Sequence, residues 1–274
     1  ICDGTMVANV IGNAIANIKS RSVINTVVYV KPLNGAVFKQ FYYGNESGKV
    51  FTKDGYNCIK IGCINNGIPR NLLIDLDTTR CPNGTTYLEY YVEYKCYDKV
   101  ECTVPMYCVR NDTTIENTQY IKANICRVMA IKSIKEQLLL KRNSNMSPNF
   151  DKVYSYIVDN ELSDLLSRGI KNTLENQATI ALSDDNFFLK WGEIYLDVLL
   201  SLEIEEKANW KDSAFATYVT PLYEKDIEEA SDAFDNLDPP TPVISQTYNS
   251  SGYRGLSVQP QPTRMATYNS QDNP

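Results

Sequence analysis

The 274-residue chain contains no histidine. This absence excludes the Ser-His-Asp triad, the Cys-His pair and the H-E-x-x-H zinc helix, because each of them needs an imidazole. The chain also lacks a G-x-x-x-x-G-K-[ST] phosphate loop and a G-x-G-x-x-G dinucleotide fingerprint. We therefore expect no enzyme activity, with no catalytic, cofactor-binding or metal-binding residues and no cofactor.

Paired carboxylates are the one catalytic device that the composition leaves open, since glycoside hydrolysis needs only two acids at a set separation. The candidates are Asp75 with Asp77 and Asp184 with Asp185. Such short spacings occur on most surface loops, where acids are simply solvated. A carboxylate-based hydrolase is therefore the weakest of the functional hypotheses.

Long apolar runs and a basic charge balance are missing too. No stretch approaches the roughly 18 apolar residues of a membrane span, so we expect membrane contact only through a segment outside this sequence. The formal net charge of −6 argues against a nucleic-acid surface. The start at Ile1-Cys2-Asp3-Gly4 has neither the basic flank nor the apolar run of a signal peptide. We expect the chain to be a piece of a longer polypeptide.

Cysteine is confined to the first half of the chain. This distribution is typical of a disulfide framework made outside the cytosol, and the alternative is a set of reduced, buried thiols in a cytosolic protein. No C-x2-C pair exists, so a zinc site is not expected. Composition leaves the pairing of the cysteines open. The eight are Cys2, Cys58, Cys63, Cys81, Cys96, Cys102, Cys108 and Cys126.

Two further features bear on location and processing. Five N-x-S/T sequons agree with an extracellular or virion-surface location and with glycosylation. A basic stretch, Lys19-Ser20-Arg21-Ser22, is a possible cleavage site at Arg21 if it is exposed. The sequons lie at Asn45, Asn83, Asn111, Asn145 and Asn249.

Residues 23–97 have the pattern of strands and turns. The run from Val27 to Val30 and the tyrosine-rich run from Tyr87 to Lys95 are β-branched or aromatic, as strands prefer. Leu33-Asn34-Gly35 and Lys53-Asp54-Gly55 predict turns. The tyrosines of the second run either form a binding face or, as we favour, pack in a sheet with their hydroxyls reaching water. These are Tyr90, Tyr91 and Tyr94.

From residue 113 the pattern becomes helical. Thr113 and Glu116 form a capping box, and apolar residues then recur at helical spacing as far as Leu138. A second helix is expected from Ser147-Pro148 and a third over about 171–182, whereas 187–202 fits either helix or strand. Residues 203–238 hold eleven Asp or Glu against three Lys. They are interpreted as a solvated helical face, with an acidic docking patch as the alternative.

Together these patterns predict an α+β protein: a disulfide-stapled, β-rich N-terminal part, a helical C-terminal part and an extended proline-rich tail. The expected divisions are a cysteine-rich module over 1–112, a helical module with an acidic end over 113–238, and an extended or disordered tail over 239–274. The tail carries six prolines and cannot form a core of its own.

Read in order, several stretches resemble the fusion subunit of nidovirus spike glycoproteins, the coronavirus type included. They include the basic junction near Arg21, the proline-led strand that follows Pro82, and a run of four cysteines with Gln119-Tyr120 ahead of the last. Trp191 to Leu199 resembles the strand before that family's fusion peptide. The family's heptad repeats and membrane anchor have no counterpart here, so fusion itself would not reside in this chain.

The resemblance implies a nested pairing, with Cys96–Cys126 outside and Cys102–Cys108 inside. The correspondence between these cysteines and the four of the family stays open, because Cys102-Thr103 also resembles the first cysteine of the family set. It further implies a function: a structural part of a viral spike-like surface glycoprotein that packs in a larger, trimeric assembly. The alternative is a secreted cysteine-rich coat, capsid or adhesion protein whose tail clasps a neighbouring subunit. Either reading makes other subunits the expected partners, with a homo-oligomer favoured.

Overall fold

The computed structural model describes residues 4–42, 49–111, 118–143, 148–208 and 218–236, with side chains from residue 11 onward. The fold is mixed, with a β-rich N-terminal part and a helical C-terminal part, which confirms the predicted α+β class at this level. By its contacts the chain as far as Leu237 groups as one unit. The change from strands to helices falls between residues 109 and 118, close to the position that the sequence predicts.

A long central strand, β1 (Arg21–Pro32), organises the main sheet. It pairs antiparallel with β4 (Tyr56–Asn65) on one side and β6 (Thr86–Cys96) on the other. Beyond β4 lies β3 (Val50–Lys53), and both β7 (Lys99–Cys102) and β8 (Met106–Val109) pair with the outer side of β6. The β-branched and aromatic run Val27–Val30 is buried, as expected for a central strand with neighbours on both sides.

Two predicted turns take the expected form. In the β3–β4 hairpin, Asp54 and Gly55 have φ angles of 51° and 79°, the left-handed pair that a type I′ turn needs. Asn34 and Gly35 have φ angles of 49° and 88° and lead from β1 into β2 (Val37–Phe41). That strand forms a separate ribbon with β5 (Ile74–Asp77). A further run of turn-forming residues, Asn45-Glu46-Ser47-Gly48, lies outside the described residues.

Side chains of the main sheet alternate between two faces. One face, centred on Val28, Val30 and Ile59, packs against the β2–β5 ribbon. On the other, the Tyr29 and Tyr91 rings stack with their centroids 4.4 Å apart. Tyr94 sits at the β7 edge, where its hydroxyl donates to Glu101 at 3.1 Å. The tyrosines therefore pack within the sheet, as favoured from the sequence.

The helical part is built around α2 (Thr118–Asn143), whose predicted apolar face is buried from Val128 to Leu138 while Ile121 remains exposed. After it come α3 (Asp151–Asp159), α4 (Leu165–Thr173) and, through a π-helical segment, α5 (Thr179–Ser183). Helix α3 begins three residues after Pro148. The capping box at Thr113 and Glu116 lies outside the described residues.

Residues 187–202, which fitted helix or strand, are helical. Helix α6 (Asp185–Phe187) continues through the π-helical segment Phe188–Gly192 into α7 (Glu193–Glu205). The stretch from Trp191 to Leu199 is therefore not the strand that the family resemblance implies. Gly192 is required here, because a Cβ at this position would lie 2.5 Å from the carbonyl oxygen of Ala181 on α5.

One helix has no counterpart in the sequence prediction. Helix α1 (Gly4–Lys19) precedes the sheet and packs against α8 (Pro221–Asp235). The ammonium of Lys19 lies 2.8 Å from carboxylates of both Asp226 and Glu229, and the hydroxyl of Tyr223 donates to Asn13 at 2.7 Å. The first and last described helices therefore form one layer.

Candidate functional site

The seven described cysteines are all free thiols. Cys58, Cys81 and Cys126 are buried, and Cys102 is exposed. Burial raises the pKa of the Cys126 thiol to about 12, and the nearby Asp164 and Glu203 act in the same direction. This thiol stays protonated and unreactive at neutral pH, because only the thiolate is a nucleophile. Cys2 lies outside the described residues.

The nested pairing implied by the resemblance is not formed. Cys102 lies opposite Glu93 in the ladder and Cys108 lies opposite Leu88. Because side chains alternate along β6, Glu93 and Leu88 point to opposite faces, which separates the supposed inner pair. Of the supposed outer pair, Cys126 is enclosed in the helical core while Cys96 ends β6 beside the β7 edge.

The structure places the asparagines of two of the five sequons. Asn83 and Asn111 are both exposed, Asn83 in the turn that leads into β6 and Asn111 just after β8. Both positions therefore leave room for an attached sugar. The sequons at Asn45, Asn145 and Asn249 lie outside the described residues.

The possible cleavage site at Arg21 lies at the start of the central strand. Its side chain is exposed, but its backbone is paired with Asn65 of β4. A protease needs an extended, unpaired segment, so cleavage at Arg21 requires the beginning of β1 to leave the sheet.

Three of the four candidate acids, Asp77, Asp184 and Asp185, have local structural roles. Asp77 accepts hydrogen bonds from the Thr79 hydroxyl at 2.7 Å and its amide at 3.0 Å, and these bonds lower the pKa of its carboxyl. Asp184 caps α6 by accepting from the Asn186 amide at 2.6 Å. Asp185 pairs with Lys141 at 2.6 Å. Within the described ranges no group of three or more Cys, Asp or Glu is placed to hold a metal ion.

A buried polar cluster joins the sheet to the helices. The guanidinium of Arg127 on α2 lies 2.6 Å from the carboxylate of Glu206, and the two side chains are only 1% and 2% exposed. That carboxylate also accepts from the backbone amide and the side-chain amide of Asn71, each at 2.9 Å. The buried charges are therefore paired and hydrogen-bonded, as low-dielectric surroundings require.

A second buried acid adjoins this cluster. Glu203 on α7 accepts a hydrogen bond from the Tyr218 hydroxyl at 2.9 Å. Burial raises the pKa of Glu203 to about 7, although the Tyr218 bond and the charge of Arg127 both favour its ionised form. The same burial raises the pKa of Tyr218 well above its usual value. Because Glu203 and Tyr218 are enclosed, we expect these side chains to affect the stability of the fold.

A stripe of exposed apolar side chains runs along the continuous helical segment from α6 to α7. It consists of Phe187, Trp191, Ile194 and Val198. The spacings of four, three and four residues place these side chains on one helical face. All four are exposed, Ile194 to 69%. Trp191 is flanked by aromatic rings, with Phe187 at 6.5 Å and Tyr195 at 5.8 Å between centroids. We call these four residues the α7 stripe.

Charged groups border the α7 stripe on one side. Arg142 at the end of α2 donates to Glu193 at 2.7 Å and to Asp197 at 3.1 Å, which fixes the C-terminal end of α2 along α7. The opposite side of α7 carries Leu196 and Leu199, which are buried in the helical core. An apolar surface with a polar border is the usual anatomy of a protein contact site.

Sequence reasoning missed both the polar cluster and the α7 stripe. The sequence does contain an indication of the stripe. The apolar residues of 187–202 do not follow a single period, as expected of a helix that has apolar residues on two faces. Three acids assigned to a solvated face are buried instead, namely Glu203, Glu206 and Asp226. Glu224 and Glu228 on α8 are exposed as predicted.

No described helix has the length and apolar character needed to cross a membrane. Comparison with family models, with curated proteins and with solved structures gives no match for this chain.

Proposed function

We propose that this chain is a structural module that assembles with other subunits through the α7 stripe. The observation that carries the proposal is the exposure of Phe187, Trp191, Ile194 and Val198 along one helical face. Large contiguous apolar patches are rare on monomers and mark contact sites. The aromatic pair in the stripe supports this role, since tryptophan is enriched among the residues that dominate binding energy.

The favoured partner is a second copy of the chain. A helical stripe can pair with its own copy about a two-fold or three-fold axis, because the same apolar face then meets itself. The border of Glu193, Asp197 and Arg142 presents both signs of charge, so the rims of two copies can pair as well. The apolar centre would provide affinity and the charged rim would set orientation.

Replacing Ile194 by Asp is expected to dissociate the assembly, because a carboxylate would be buried at the centre of the contact. The control is Val158→Asp, since Val158 on α3 is 70% exposed and lies outside the stripe. We expect analytical ultracentrifugation to show an oligomer for the wild type and Val158→Asp, and a monomer for Ile194→Asp. A monomeric wild type at micromolar concentration would contradict the proposal.

We further propose that the assembly is a spike-like surface glycoprotein, extracellular or displayed on a virion. Support comes from the proline-led strand after Pro82, which is β6 as the resemblance implies, and from the exposed sequons Asn83 and Asn111. Disulfide stapling of the β-rich part and an extended proline-rich tail are further parts of this proposal.

Peptide mapping by mass spectrometry without reduction tests this location on protein expressed through a secretory pathway. We expect sugar on Asn83 and Asn111, because both side chains are exposed. The same map records which cysteines are bridged. Unmodified asparagines together with cysteines that are all found as free thiols in the map would contradict the extracellular assignment while leaving self-association intact.

A further inference from the structure

Two cavities adjoin each other on the sheet face that carries Val28 and Val30. The larger, about 420 Å³, is lined almost entirely by apolar side chains, among them Ile64, Leu88 and Val92. The smaller, about 280 Å³, lies between the start of β3 and the C-terminal end of α7. Both are lined by Ile61, Arg70 and Leu72, so they meet at these three residues. We call the combined space the sheet-face groove.

Arg70 is the only charged residue that lines both cavities among those described. Its guanidinium donates to the carbonyl oxygens of Ile204 at 3.1 Å and Ile61 at 3.4 Å. Within the described part of the chain it makes no ion pair with a carboxylate. A guanidinium carries five N–H donors, so these two bonds leave others to face the groove.

The surroundings make this cation unusual. Burial is the main cause that lowers the pKa of Arg70, and nearby Arg127 acts in the same direction, whereas the charges of Glu206 and Glu205 oppose them. Glu206 is already held by Arg127 at 2.6 Å. A partly desolvated cation that forms no ion pair with a carboxylate is stabilised most by an anion that also carries an apolar group.

We propose that the sheet-face groove binds an amphipathic anion, an alkyl chain ending in one carboxylate or sulfate. The head group would accept hydrogen bonds from Arg70, and the chain would lie along Val28, Leu88 and Val92 in the larger cavity. Its volume falls within the range of about 300–1,000 Å³ of small-molecule sites. The charge of Arg70 selects an anion over a neutral or cationic head group. This inference does not depend on the proposed assembly.

Isothermal titration of the full chain with four ten-carbon probes tests the proposal: decanoate, decyl sulfate, 1-decanol and decyltrimethylammonium. We expect the wild type to bind both anions more tightly than the alcohol, and the cation most weakly. In Arg70→Met we expect decanoate affinity to fall by about 30-fold, the usual effect of removing one partner of a buried charge pair, with 1-decanol binding unchanged. Lys39→Met, which removes an exposed charge of β2 outside the groove, should leave both affinities unchanged.

Two further measurements keep the test decisive if Arg70→Met folds poorly. Ile64→Trp fills the larger cavity and should abolish binding of all four probes. In the wild type, the carboxyl pKa of ¹³C-labelled decanoate should fall on binding, because the guanidinium favours its ionised form. Equal affinity for decanoate and 1-decanol, an unshifted carboxyl pKa, or binding that survives Ile64→Trp would each overturn the proposal.

Discussion

Replacing Arg127 by Met is expected to destabilise the fold by about 3–5 kcal/mol, because the change leaves the carboxylate of Glu206 buried without its cation. Glu206 is 2% exposed and would retain only its hydrogen bonds from Asn71. Methionine fills most of the volume of the lost side chain, so little of the effect comes from a cavity. Equilibrium urea unfolding at pH 8 measures the loss.

The matched control is Lys225→Met, which breaks an exposed pair with Glu229 at 3.6 Å on α8. Exposed pairs of this kind contribute about 0–1 kcal/mol. In the double variant Arg127→Met/Glu206→Gln the loss should be smaller than in Arg127→Met alone, since no unpaired charge stays buried. A double variant at least as unstable as the single one would show that the cation acts through packing and not through its charge.

The stability of the wild type is expected to decrease as pH rises from about 4.5 to about 7 through the contribution of Glu203. Burial raises the folded-state pKa of this carboxyl to about 7, from a usual value of 4.5. Between these values the folded chain holds a proton that the unfolded chain has lost, so the free energy of unfolding falls as pH rises. A shift of this size corresponds to roughly 3 kcal/mol, and the contribution is constant above pH 7.

Glu203→Gln provides the control, because an amide can still accept from the Tyr218 hydroxyl but does not titrate. Other groups titrate over the same range, so the quantity to compare is the difference in unfolding free energy between wild type and variant at each pH. That difference should move in favour of Glu203→Gln by roughly 3 kcal/mol from pH 4.5 to 7.5. A difference that is independent of pH would show that Glu203 ionises normally.

Local patterns in the sequence predicted the local structure well. The β-branched run Val27–Val30 and the Asp54-Gly55 turn fix a strand and a hairpin through backbone preferences that do not depend on distant residues. The apolar period from Val128 to Leu138 likewise fixes the buried face of α2. Helix α1 was missed because most of its stability comes from packing on α8, which no local pattern records.

The candidate sites were less predictable, because they too depend on packing between elements that are distant in the sequence. Whether Glu203 and Glu206 face water or Arg127 depends on how α7 lies against α2 and Asn71. The composition of the acidic segment 203–238 by itself resembles that of a solvated helix. The sheet-face groove brings Arg70 together with Ile61 and Val92 from different strands. The exposure of Trp191 follows from which side of α7 meets the core. Each of these depends on tertiary packing.

The packing of α1 against α8 limits when the fold can form. Lys19 and Glu229 are 210 positions apart in the chain, yet their charged groups touch. Closing so large a span costs entropy and slows folding. On a ribosome α1 emerges before the other described elements, so its contact with α8 cannot form until α8 has been synthesised. The layer formed by α1 and α8 is therefore one of the last parts of the described fold to form.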